Sequence, residues 1–137
     1  MELQGSQKFN DYQQAIASLP KGYVLIDEEF LARYEVEIEA IKDFLEDKGG
    51  LHLIQVDEYS TLCRVPSKDM LSKVNERSKK LDPIEADIDF VNRCLLYPSA
   101  ETFSGWIGGG APGLAASISR KIFELAKLNQ EAVSKKL

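Results

Sequence analysis

Apolar residues recur along most of this chain at the three- and four-residue spacing of a helix, and in one stretch they gather into short aliphatic runs instead. Phe9, Tyr12, Ile16 and Leu19 predict a short amphipathic helix that Pro20 and Gly22 stop. Tyr23 to Ile26 is apolar and too short for a helix, so it is either a strand or a segment that docks on something. Asp27 is a candidate N-cap, with Glu28 and Glu29 placed where negative charge meets the positive end of a helix dipole. Phe30, Tyr34, Ile38, Ile41 and Leu45 then run as one stripe down a long helix ended by Gly49 and Gly50.

The period changes at residue 51. Leu51 to Val56 and Thr61 to Val65 are strand-like runs separated by Asp57, Glu58, Tyr59 and Ser60, which predicts a hairpin with a turn of several residues. A lone hairpin is marginal in water, so at least one of its faces must pack on helices. Pro66 ends the second run, and Ser67 caps a helix bearing Met70, Leu71, Val74 and Leu81. Asp82, Pro83 and Glu85 supply an N-cap, a first-turn proline and a capping-box glutamate for the next helix, with Ile84, Ile88, Val91 and Leu95 on one face. Tyr97 before Pro98 closes it, because the residue before a proline is driven out of helical angles. Ser99 opens a short segment carrying Phe103, Trp106 and Ile107. After Gly108, Gly109 and Gly110, Pro112 starts a last helix with Leu114, Ile118, Ile122 and Leu125 inward. The expected fold is α+β and helix-dominant: four to six helices packed on a small antiparallel hairpin or three-stranded sheet. One domain is expected over residues 1–137, with a helical portion over 1–49, a second portion over 50–129 and a flexible polar tail over 130–137.

Composition changes this picture little. At 137 residues, 44% hydrophobic and 28% charged, the chain can bury a core of its own. No apolar run approaches the ~20 residues of a membrane span, and the first residues lack the pattern of a secretory signal, so a cytoplasmic location and no membrane partner are expected. The net charge of −5 argues against nucleic-acid binding. That charge is uneven: Asp27 to Lys48 holds nine acidic and three basic residues, Ala111 to Leu137 two acidic and five basic. The split reads as solvated helix faces, as head-to-tail self-association, or as an acidic face for a basic partner.

Candidate chemistry is sparse. Gly108 to Gly113 satisfies G-x-G-x-x-G, yet it follows a helical segment instead of a buried strand, and Pro112 removes an amide that would face a phosphate. A connector is the expected role, and no cofactor is expected. His52 is the single histidine and has no ligand spacing around it, which argues against a metal. A hairpin could bring Cys63 near His52, the one Cys/His proximity that can be built. Cys63 and Cys94 lie in apolar stretches and read as structural thiols without a disulfide. No catalytic residue is expected. Arg64 is either an exposed strand residue or the partner of a carboxylate from the long helix. Tyr97, Phe103, Trp106 and Ile107 either seal the core or, beside a glycine run, anchor a partner protein.

The order of short motifs in the second portion resembles the tail assembly chaperones of tailed bacteriophages and contractile injection systems. The motifs are Arg64 and Pro66 after a strand, Tyr97 and Pro98 after a helix, and Pro112, Gly113 and Leu114 before the last helix. The resemblance covers about Gly50 to Asn129. It implies a non-catalytic protein that binds the tape measure protein, or another tail protein, as assembly begins. Many members of that family are also made in a longer form by a ribosomal frameshift near the end of the reading frame, and Lys135 and Lys136 are residues that an adenine run of the slippery kind can encode. The alternative is a small regulatory or ligand-binding domain with the glycine run as a lid.

Overall fold

Two groups of helices enclose a three-stranded antiparallel sheet, so the fold is the helix-dominant α+β class expected. The computed structural model describes residues 2–129 and, beyond them, Ser134 and Lys136; the rest of the polar tail, with Lys135, lies outside the described residues. In order come α1 (Glu2–Ala17), α2 (Glu28–Arg33), α3 (Glu35–Leu45), β1 (Leu51–Val56), β2 (Tyr59–Arg64), α4 (Lys68–Ser78), α5 (Pro83–Cys94), β3 (Leu95–Tyr97), α6 (Ala100–Gly108) and α7 (Leu114–Asn129).

The local signals hold where a side chain can act alone. Asp27, Ser67, Asp82 and Ser99 each accept a hydrogen bond from the backbone N–H three residues on, at Phe30, Met70, Glu85 and Thr102. Gly49 and Gly50 carry φ of 97° and 81°, and the Gly50 N–H returns to the Leu45 carbonyl to close α3.

Four expectations are corrected. The long helix breaks at Tyr34, whose φ of −107° and ψ of 28° separate α2 from α3. The break lets Phe30 lie against both Tyr34 and Tyr97 while Ile38, Ile41 and Leu45 stay in the core. The hairpin turn is only Asp57 and Glu58, because Asp57 accepts a positive φ of 52°, and Tyr59 and Ser60 therefore belong to β2. Leu95 is not on the α5 face; the chain turns extended there and pairs with β2 as β3. Ile84, expected inward, is 59% exposed.

β2 is the central strand, and residues 60–63 are all buried because helices cover both of its faces. On one face Ile54 and Cys63 join Val74, Phe90, Val91, Cys94, Phe103, Leu114, Ile118 and Ile122 from α4 to α7. On the other, Leu62 and Tyr97 join Tyr12, Leu19, Ile26, Phe30, Ile38, Ile41 and Leu45 from the first portion. Residues 1–49 thus supply half the cover of the sheet. Between α4 and α5, Arg77 and Arg93 both reach Asp89 at 3.2 Å.

Candidate functional site

The aromatic residues singled out by the sequence converge where the two cores meet. Trp106 on α6 packs edge-on against Tyr23 at 4.7 Å and tilted against Tyr59 at 4.8 Å, with Phe103 at 6.5 Å behind it. Tyr23 in turn stacks toward Tyr97 at 6.3 Å. Burial divides the predicted partner surface. Tyr97 is 2% exposed and Phe103 fully buried, so a partner role for these two side chains is corrected to a core role; Trp106 and Ile107 are half-buried and keep a face to solvent.

A polar latch lies beneath this cluster. The segment Tyr23–Ile26 is neither helix nor strand, yet it docks beside the sheet through two hydroxyls. Ser60, fully buried, accepts from the Ile26 N–H at 3.0 Å and bonds the Tyr23 hydroxyl at 2.9 Å. Tyr23 also accepts from the Ser60 N–H at 3.1 Å and donates to the Glu58 carbonyl at 3.3 Å. Tyr97 accepts from the Val24 N–H at 2.6 Å and donates toward the carbonyls of Gly22 and Val24. Burial pushes the Tyr97 phenol above its usual range. β3 is too short to reach Ser60, so Tyr23 satisfies the β2 backbone there. Tyr59 and Ser60 escaped the sequence reading because the turn was assigned to them.

The remaining motif positions serve structure. Val65 and Pro66 are buried after β2, Pro98 is buried after a cis peptide bond with Tyr97, and Leu114 is buried at the start of α7. Pro112 and Gly113 are exposed in the turn before it; with Gly110 and Ala111 they face Asp57, Glu58 and Tyr59 of the hairpin across an open cleft. Arg64 is half-buried: its guanidinium reaches the Tyr12 hydroxyl at 3.4 Å, and among the described residues its Nε has no partner and no carboxylate pairs with it. It borders an open cleft with Gly49, Gly50 and Ser67.

His52 and Cys63 do face each other in register across β1 and β2. The pair is not arranged for nucleophilic chemistry. The His52 ring nitrogen Nε2 is bonded to the Gly49 carbonyl at 2.7 Å, and Cys63 donates to Thr61 at 3.6 Å. Burial pushes the Cys63 thiol up to about 11 and the Cys94 thiol to about 12, so both stay protonated and free. Among the described residues no group of His, Cys, Asp or Glu is placed to hold a metal, and no helix is long and apolar enough to cross a membrane.

Sequence reading also missed the apolar surface. Val24, Leu25, Leu31 and Val36 are 48%, 45%, 39% and 80% exposed, four of the eight large apolar side chains in that condition among the described residues. The signal was present at Val36, which stands on the side of the helix away from the Phe30 to Leu45 stripe and could not be inward with it. No protein-family model, curated protein or solved structure matches this chain.

Proposed function

We propose that this protein is a non-catalytic factor that binds another protein, and that its specific role is that of a tail assembly chaperone engaging a tape measure protein. The observation that carries the general reading is the set of four exposed apolar side chains between Val24 and Val36, of which Val24 and Leu25 lie on the segment that the Ser60 and Tyr97 hydroxyls hold in place. Together the four expose the equivalent of about two whole side chains, so covering them is worth about 4 kcal/mol at ~2 kcal/mol for each fully buried aliphatic, roughly a thousandfold in affinity before ordering costs. Exposed apolar side chains gathered over so short a length of chain favour an interaction site there. The chaperone assignment is supported by the motif order from Arg64 to Leu114.

The test is a tagged full chain expressed together with the genes that surround its own, with retained proteins identified by mass spectrometry. A Leu25→Asp/Val36→Asp variant is run beside it. Retention of a very long, helix-rich tail protein by the parent and its loss by the variant supports both readings. Specific retention of some other protein, also lost in the variant, keeps the binding role and removes the chaperone one. No retained protein for the parent removes both.

A further inference from the structure

We propose that the free edge of β1 is a second docking site, one that accepts an extended peptide carrying a basic residue two positions from an apolar one. Among the described residues β1 is an outer strand of the sheet and pairs only with β2. With a two-residue turn, Val56 and Tyr59 form the closing hydrogen-bonded pair; Ile54 with Thr61 and His52 with Cys63 repeat it. The N–H and C=O groups of Leu51, Leu53 and Gln55 therefore point away from β2. No other backbone bond reaches residues 51–56 among the described residues. Edge strands are ordinarily blunted by charge, proline or a bulge. The run Leu-His-Leu-Ile-Gln-Val contains no proline, lysine, arginine or carboxylate, and its register with β2 is unbroken.

The surroundings of this edge select the occupant. Leu51 and Leu53 alternate onto the face that α3 covers, and α3 leaves Leu53 47% exposed. Beside Leu51, the outer flank of α3 and its C-cap present Glu39, Lys42, Asp43 and Glu46 over an open cleft that Gly50 and Leu51 also line. Lys42 is taken by Glu39 at 3.4 Å, whereas Asp43 and Glu46 have no ion-pair partner among the described residues. An added strand antiparallel to β1 places an apolar side chain over Leu53 and, two residues later, a lysine or arginine beside the α3 carboxylates. Main-chain bonds supply affinity and the alternate side chains supply selectivity, as in other strand additions. A second copy fits less well. Two-fold pairing centred on Leu53 sets uncharged Gln55 opposite Leu51, leaves the carboxylates unanswered, and joins two chains of charge −5. The edge is a different surface from the 24–36 stretch and stands or falls separately.

The probe is the acetylated, amidated peptide Thr-Thr-Thr-Val-Thr-Lys-Thr-Lys, titrated into the full chain and followed by amide NMR. Binding is expected to slow hydrogen exchange at Leu51, Leu53 and Gln55 and to leave His52 and Ile54, already bonded to β2, unchanged. Replacing both peptide lysines by glutamate, or changing the protein to Asp43→Lys/Glu46→Lys, is expected to weaken binding about tenfold, as two partly exposed ion pairs allow. Leu53→Pro removes an outward donor without touching the β1–β2 ladder and is expected to abolish binding; should it not fold, the charge reversal alone decides. The proposal is overturned by an absence of binding at ~1 mM peptide, the weakest affinity worth the name. Equal binding of the glutamate peptide also overturns it. So does slowed exchange at the three amides that rises with protein concentration without peptide, since a second copy then holds the edge.

Discussion

Replacing Ser60 by alanine removes one oxygen from the interior and should loosen the whole first portion from the sheet. The hydroxyl is fully buried, accepts from the Ile26 N–H at 3.0 Å and bonds Tyr23 at 2.9 Å. Each lost hydrogen bond is worth about 1 kcal/mol net, and a buried N–H left without a partner costs about 1–3 kcal/mol. Ile26 is 5% exposed, so water cannot readily replace the serine there. Tyr23 is half-buried and still bonds the Glu58 carbonyl and the Ser60 N–H, so its share of the loss is small. The expected destabilisation is about 2–3 kcal/mol, a large part of the ~5–15 kcal/mol that holds a domain folded. Urea unfolding measures it directly: at a slope of ~2 kcal/mol per molar the midpoint falls by about 1 M with the slope unchanged. Trp106 fluorescence is the natural probe, since that ring rests on Tyr23. Ser104→Ala, at an exposed position on α6, is the control and should shift stability by less than ~0.5 kcal/mol. A Ser60→Ala loss no larger than that of the control refutes the latch, because the burial and the bonds then carry no energy.

Tyr97→Phe deprives the Val24 N–H of its acceptor and should cost about 1–2 kcal/mol, or ~5 °C in Tm by calorimetry; combined with Ser60→Ala the loss should be smaller than the sum, because both hydroxyls hold one segment. The cysteines give a pH signature. Their folded thiols titrate at about 11 and about 12 against 9.0 for an unperturbed thiol, so the stability they add is complete below pH 9 and is lost as pH rises toward those values. Urea midpoints measured from pH 7 to 11 should fall above pH 9, and less steeply in Cys63→Ala/Cys94→Ala. In the native protein both thiols should resist a disulfide reagent until urea unfolds the chain.

Much of the fold was legible in the sequence wherever the determining interaction spans only a few residues. A capping oxygen three residues from its amide, a glycine pair ending α3, and the period of the apolar stripes are decided by covalent neighbours, and Asp27, Ser67, Asp82, Ser99, Gly49 and Gly50 act as read. The grouping of Tyr97, Phe103 and Trp106 was legible too, but not which of them is buried. That depends on Tyr23, some seventy-five residues before Tyr97 along the chain, arriving at the end of β3 and taking the hydrogen-bonding position that a longer strand would have filled. The break at Tyr34, the promotion of Leu95 to Tyr97 from helix end to strand, and the open edge of β1 have the same origin. Local propensity sets what a segment prefers by a few tenths of a kcal/mol per residue, and the burial of one more aromatic or one more backbone pair across the sheet outweighs it. The sequence by itself determined the helix-dominant class, the capped starts of α2, α4, α5 and α6, the glycine stop after α3 and the scarcity of chemical groups; only the tertiary structure decided where the long helix breaks, which residues join the sheet and which apolar residues are interior, because burial is a property of what arrives from elsewhere in the chain.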